Sequence, residues 1–98
     1  MTVAFIQEFP IEDRSTTNYD AISEALGLAN DWPDGAIFHS AGFDDDAGVF
    51  RIFEVWETQE QSERFMRERI EPLVEQMAGD APPPARQSVY ELHGFAGR

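Results

Sequence analysis

The sequence predicts an α+β domain in which strands and helices follow the order βαββαβ. Three observations lead to this prediction. The 98 residues suit a single domain, which we expect to span residues 1–98. Hydrophobic residues form 42% of the chain, which is enough for a packed core. Segments with apolar residues at every second position alternate with segments that have them at helical spacing, and turn residues divide the segments.

The first half of the chain supplies one strand and one helix. Residues 3–9 alternate in polarity and predict the first strand, which Pro10 ends. Residues 17–20 (TNYD) resemble an acidic capping box at the start of a helix. The inward face of this helix consists of Tyr19, Ile22, Leu26 and Ala29. The turn cluster at residues 30–35 (NDWPDG) separates the helix from the next strand.

A β-hairpin and a long helix follow. Residues 36–43 and 49–57 predict two strands around the acidic tip 44–48, where Gly48 can supply a positive φ. Residues 58–61 (TQEQ) form a capping box for the second helix. The inward stripe of that helix is Phe65, Met66, Ile70, Leu73, Val74 and Met77. Pro72 predicts a kink or restart, with the proline in the first turn of a short second segment.

The last part of the chain predicts a link and a fourth strand. Gly79 is expected to end the second helix, and residues 80–85, with three consecutive prolines, form a rigid extended link. Residues 86–95 form the last strand. The resulting order is the split-βαβ, or ferredoxin-like, arrangement of a four-stranded antiparallel sheet covered by two helices on one face.

The third strand carries large apolar residues on both of its faces. Phe50, Ile52 and Trp56 lie on one face, and Phe53 and Val55 lie on the other. Two apolar faces need two coverings, and the helices supply only one of them. We therefore expect a homodimer in which a second copy packs sheet to sheet.

The composition excludes several classes of function. Nineteen acidic residues against seven basic ones give a formal charge of −12, so we expect neither nucleic acid nor a membrane as a partner. The absence of cysteine excludes disulfides, thiol catalysis and thiolate metal sites. No basic leader precedes an apolar run, and no apolar run is long enough to span a membrane. The expected compartment is the cytoplasm.

The junction between the third strand and the second helix carries a family resemblance. The run at residues 51–60 (RIFEVWETQE), with Phe65 further on, resembles this junction in antibiotic biosynthesis monooxygenase-like (ABM-like) domains. The resemblance implies a dimeric α+β barrel. It also implies a superfamily that includes cofactor-independent oxygenases of aromatic polyketide-like substrates, haem-degrading enzymes, isomerases and decarboxylases. Fold alone does not choose among these activities.

We expect no cofactor and no metal. The resemblance implies that haem-degrading relatives pair the tryptophan at the Trp56 position with a haem-ligating histidine on the following helix. Residues 59–77 contain no histidine, and both histidines, His39 and His93, fall in predicted strands. The tip at residues 44–46 (DDD) lacks the spaced oxygen ligands and closing Glu of a calcium site. A charged hairpin tip is the favoured interpretation.

His39 and Glu54 are the candidate catalytic residues. His39 can exchange protons near neutral pH, and we expect it on an inner strand beside the strand of Trp56. Glu54 interrupts an apolar face, so its carboxylate must find a donor or take a raised pKa. A turn centred on Asp46 places Phe53 opposite His39, whereas a one-residue slip pairs His39 with Glu54. The sequence leaves both registers open.

Aromatic residues are the candidate substrate-binding residues. The walls of a sheet–helix pocket would be Trp56, Phe38, Phe65 and Phe5. Two hypotheses follow. In one, the domain binds or oxidises a small aromatic molecule, with His39 as the base that forms its anion. In the other, the domain is a non-catalytic dimeric structural or ligand-binding module, and its polar strand residues only complete a hydrogen-bond network.

Overall fold

The computed structural model describes residues 1–12, 14–28, 30–77 and 84–96. Its elements are β1 (Val3–Pro10), α1 (Thr17–Leu26), β2 (Ala36–Asp44), β3 (Val49–Trp56), α2 (Gln59–Phe65), a π-helical segment (Met66–Ile70), α3 (Glu71–Met77) and β4 (Arg86–Glu91). This order confirms the predicted βαββαβ succession. The expected positions of Ala29, of the helix end at Gly79 and of the link at residues 80–83 lie outside the described residues.

The four strands form one antiparallel sheet in the order β2-β3-β1-β4. This is the ferredoxin-like order, and it confirms the predicted fold class. The expectation that His39 lies on an inner strand is wrong, because β1 and β3 take the inner positions and β2 is an edge strand. The last strand is also shorter than predicted. It ends at Glu91, so His93 lies beyond it and is exposed.

The β2–β3 hairpin adopts the register that pairs His39 with Glu54. The turn occupies four residues, 45–48, and Gly48 has the predicted positive φ of 71°. An even-numbered turn is centred between Asp46 and Ala47, which moves every pair by one residue relative to a turn centred on Asp46. A β-bulge between Ala36 and Phe38 then breaks the alternation near the start of β2.

The two helices begin differently. Residues 17–20 do not form the predicted capping box, because Thr16 precedes α1 and its hydroxyl donates to Asp20 Oδ2 at 2.7 Å. The second capping box is confirmed at its N-cap, while the Gln61 side chain contacts the Thr58 hydroxyl instead of the Thr58 backbone N–H. Thr58 Oγ1 accepts the Gln61 backbone N–H at 3.2 Å and donates to Gln61 Oε1 at 2.9 Å.

The predicted restart at Pro72 is also confirmed. Pro72 is the second residue of α3, directly after the π-helical segment Met66–Ile70. Proline has no N–H to donate, and in a regular helix its ring clashes with the carbonyl four residues earlier, here that of Glu68. A wider π turn before the proline accommodates both constraints.

The hydrophobic core lies between the sheet and the helices. Its buried residues are Val3, Phe5, Leu26, Trp56 and Phe65. Partly buried residues of both helical segments pack against them, including Ile22, Met66, Ile70 and Leu73. The opposite side of the sheet, called here the outer sheet face, carries an apolar cluster formed by Ala4, Ile6, Phe38, Phe53, Val55 and Tyr90.

Candidate functional site

A groove of about 1130 Å³ lies between the helix-covered face of the sheet and the helices. Strand residues form its floor, among them Phe5, His39 and Glu54. Tyr19 of α1 and Phe65 of α2 contribute to its walls. The period of two in each strand places these floor residues on one face, while the helical spacing of the apolar residues turns the helices towards it.

The centre of the site is the His39–Glu54 pair. The two residues are direct partners in the hairpin register, and His39 Nδ1 lies 2.7 Å from Glu54 Oε2. Their side chains are 23% and 13% exposed, so the pair is largely withdrawn from solvent. The second oxygen, Oε1, accepts the Trp56 indole N–H at 3.1 Å. Glu54 therefore finds the donors that its apolar face requires.

The geometry also fixes the proton on the imidazole. A carboxylate can only accept hydrogen bonds, so Nδ1 of His39 carries the proton directed at Glu54. The lone pair of Nε2 then remains, and the hydroxyl oxygen of Tyr19 lies 2.5 Å from it. Tyr19, His39 and Glu54 thus form a continuous hydrogen-bonded chain from α1 across β2 to β3.

Tyr19 is held by its ring as well as by its hydroxyl. The ring stacks on His39 with 7° between the planes and packs edge-on against Phe50 at 5.4 Å. Burial raises the pKa of Tyr19 above its ordinary 10.0, and the charges of Glu54 and Asp20 act in the same direction, while a hydrogen bond with Ser23 opposes them. The hydroxyl is therefore protonated at neutral pH.

Sequence reasoning placed Tyr19 on the inward face of α1 but did not recognise it as a site residue. The available signal was general: an inward-facing tyrosine usually directs its hydroxyl at a polar partner. The identity of that partner depended on where β2 lies relative to α1, which no local pattern specifies.

The predicted aromatic residues occupy three different environments. Phe5 and Phe65 are buried and line the groove. Trp56 is only 2% exposed, packs on Phe65 at 5.4 Å and borders a small adjacent cavity of about 10 Å³, which has room for about one water molecule. Phe38 also borders this small cavity but does not line the groove. Its ring packs against Phe53 on the outer sheet face and is 45% exposed.

Neither histidine is placed to ligate haem in the groove. Both ring nitrogens of His39 have partners within the fold, and His93 lies beyond β4. Within the described ranges, no group of three His, Cys, Asp or Glu side chains is arranged to hold a metal ion. In the same part of the chain, no helix combines the length and apolarity needed to cross a membrane.

The chain resembles known proteins in its fold but not in its sequence. No protein-family model matches the chain, and no curated protein matches it. Solved structures do match it over nearly its whole length. The Rv0793 protein of Mycobacterium tuberculosis is 16% identical, with a TM-score of 0.72 over 99% of this chain and 100% of that one. A protein of Nitrosomonas europaea, provisionally assigned as an antibiotic biosynthesis monooxygenase, is 13% identical, with a TM-score of 0.71 over 98% and 94%.

A variant of SnoaB, a cofactor-independent oxygenase from Streptomyces nogalater, is 10% identical, with a TM-score of 0.66 over 99% of this chain and 98% of that one. The chain has the ABM-like fold. At identities this low, the similarity to these ABM-like structures shows a shared fold and no shared activity. The chemistry follows from the residues of the site.

Proposed function

We propose that this ABM-like domain binds a small aromatic molecule in the groove and that deprotonation of this molecule depends on His39 as the base. The observation that carries the proposal is the hydrogen-bonded His39–Glu54 pair on the floor of an otherwise mainly apolar groove. Glu54 stabilises the imidazolium that forms when His39 takes the proton. Phe5 in the floor and Phe65 in the wall supply flat apolar surfaces for an aromatic ring.

The reaction that suits this arrangement is cofactor-independent oxygenation of a phenol or enol. Removal of the hydroxyl proton produces an electron-rich anion, which can reduce dioxygen. For 1-naphthol, the products are 1,4-naphthoquinone and water: one oxygen atom enters the ring and the other leaves in water. SnoaB, which shares the fold, is itself a cofactor-independent oxygenase. An apolar groove favours the step because it limits water around the developing anion.

The test compares His39→Ala with a matched control, His93→Ala. His93 is exposed and lies beyond β4, so its removal changes the histidine content without touching the groove. With 1-naphthol in aerated buffer, we expect oxygen uptake and quinone formation to fall about 100-fold in His39→Ala and to be unchanged in His93→Ala.

Equal turnover by the parent and His39→Ala would reject His39 as the base. Binding of 1-naphthol by the parent without any turnover would instead support the non-catalytic ligand-binding module. Circular dichroism of each variant checks that the fold is retained.

We further propose that two copies assemble through the outer sheet face. Phe38 and Tyr90 are 45% and 48% exposed in the single chain, and they flank Ala4 and Val55, which are fully buried. The cluster is continuous across all four strands. A second copy of the same sheet is a flat apolar surface that can cover it.

A further inference from the structure

The imidazole of His39 has no nitrogen free to meet a ligand. Nδ1 lies 2.7 Å from Glu54 Oε2, and Nε2 lies 2.5 Å from the hydroxyl oxygen of Tyr19. A base that takes a proton directly from a ligand needs an unshared lone pair facing that ligand. In this arrangement, the Tyr19 hydroxyl already occupies the only lone pair that His39 has.

We propose that Tyr19 is the catalytic residue that exchanges a proton with the ligand and that His39 acts behind it. The inference rests on the proposed function of the groove. A phenol hydroxyl has one hydrogen and two acceptor lone pairs. Its hydrogen is directed at His39 Nε2 and one lone pair accepts the hydrogen bond from Ser23, so one lone pair remains for a ligand, and Tyr19 lines the groove.

The proton transfer balances without any other reactant. The hydroxyl of the ligand gives its proton to the oxygen of Tyr19 while the original proton of Tyr19 moves to His39 Nε2. The ligand becomes an anion, Tyr19 is again a neutral phenol, and His39 becomes an imidazolium beside the Glu54 carboxylate. The two transfers occur together because the raised pKa of Tyr19 makes a free tyrosinate unfavourable.

Three neighbours act as positioning residues for this relay. Glu54 fixes the tautomer of His39, and the Trp56 indole N–H holds Glu54 in turn through Oε1 at 3.1 Å. Phe50 packs edge-on against the ring of Tyr19 at 5.4 Å. Preorganised contacts of this kind keep the proton path aligned before the ligand binds.

The first experiment uses Tyr19→Phe, which removes only the hydroxyl and keeps the ring contacts. We expect 1-naphthol turnover to fall about 100-fold, as in His39→Ala. The double variant should show no further loss, because the two residues act as one unit. Turnover in Tyr19→Phe that equals or exceeds that of the parent would overturn the relay, since it would mean that His39 works directly once Nε2 is exposed.

A second measurement does not depend on turnover. Long-range ¹H–¹⁵N NMR of the ligand-free protein reports each ring nitrogen of His39 separately. We expect Tyr19→Phe to move the Nε2 resonance and to leave Nδ1 bound to Glu54, whereas the control Tyr90→Phe leaves both unchanged. An unmoved Nε2 resonance overturns the relay regardless of activity. A third outcome is that Tyr19→Phe moves the Nε2 resonance although the parent protein neither binds nor oxidises 1-naphthol. That result would support the Tyr19–His39 connection and refute the proposed function of the groove.

Discussion

At the scale of single residues, Glu54 and Tyr19 show how polar groups are accommodated on a largely apolar face. Each oxygen of Glu54 accepts one side-chain donor, from His39 and from Trp56. Leaving such a group without its partner costs about 1–3 kcal/mol. The hydrogen bonds of the site therefore also support the fold, and every variant of these residues needs a stability measurement beside its activity.

The ionisation of Tyr19 provides a residue-scale prediction. Burial and the nearby carboxylates raise its folded-state pKa above 10.0. The native fold thus favours the protonated phenol, and the resulting stabilisation is present below about pH 10 and is lost as the pH rises through the folded pKa. We expect the tyrosinate absorbance of Tyr19 to develop above pH 10.0 in the folded protein. The difference between the spectra of the parent and of Tyr19→Phe isolates this absorbance. A midpoint at or below the ordinary value would contradict the burial of this hydroxyl.

At the scale of elements, the loop before β2 depends on Gly35. Its φ is 88°, and a Cβ at this position would lie 2.4 Å from the Gln61 side chain. Gln61 could move away, but only by giving up its bond with Thr58. We expect Gly35→Ala to lower the free energy of unfolding by about 1–3 kcal/mol in urea denaturation. The control Gly94→Ala, where a Cβ meets no atom within 4 Å, should be close to neutral. Equal stability of both variants would refute the strain.

Arg51 links three strands of the sheet. Its guanidinium lies 2.7 Å from Glu8 on β1 and 2.7 Å from Asp44 on β2. The hydrogen bond from Arg51 lowers the pKa of Asp44 below 3.8, with a smaller contribution from the Ala47 backbone N–H. A lowered folded-state pKa stabilises the fold above the unfolded value, and this stabilisation is lost as the pH falls through the folded pKa.

We therefore expect Arg51→Gln to destabilise the protein at neutral pH, and the difference from the parent to shrink as the pH falls below 3.8. Urea denaturation at a series of pH values measures this difference. Arg64→Gln is the matched control, because Arg64 forms an exposed pair with Glu68, four residues later, and such pairs contribute about 0.3–0.5 kcal/mol. A stability difference between the parent and Arg51→Gln that stays constant or grows as the pH falls would refute the interaction of Arg51 with Asp44.

At the scale of the whole molecule, two opposing properties govern assembly. The outer sheet face presents Phe38 and Tyr90, whose burial favours a dimer. Each chain also carries a formal charge of −12, so two copies repel one another. Salt screens the repulsion and leaves the apolar contact in place. We therefore expect the proposed dimer to become tighter as salt is added.

The prediction for the dimer uses Phe38→Arg. Light scattering of the parent at micromolar concentration should give about twice the chain mass of 11.1 kDa. A charge at this exposed position of the apolar cluster should weaken association by about 2 kcal/mol or more, roughly a 30-fold rise in Kd. Ala25→Arg adds the same charge on the exposed side of α1 and should remain dimeric. A monomeric parent at all salt concentrations would reject this interface.

The sequence by itself determined the order of the elements, both hairpin strands and the restart at Pro72, because alternation, helical spacing and turn residues act over a few neighbouring positions. It also singled out Glu54 as a residue in need of a partner. Only the tertiary structure decided that the partner is His39, since the register depends on whether the turn is centred on a residue or between two residues. Only the tertiary structure, likewise, placed β2 at the edge of the sheet and brought the Tyr19 hydroxyl to Nε2 of His39. The register follows from the detailed geometry of the four-residue turn, and the contact of Tyr19 with His39 follows from how α1 packs on the sheet, and no local sequence pattern specifies either.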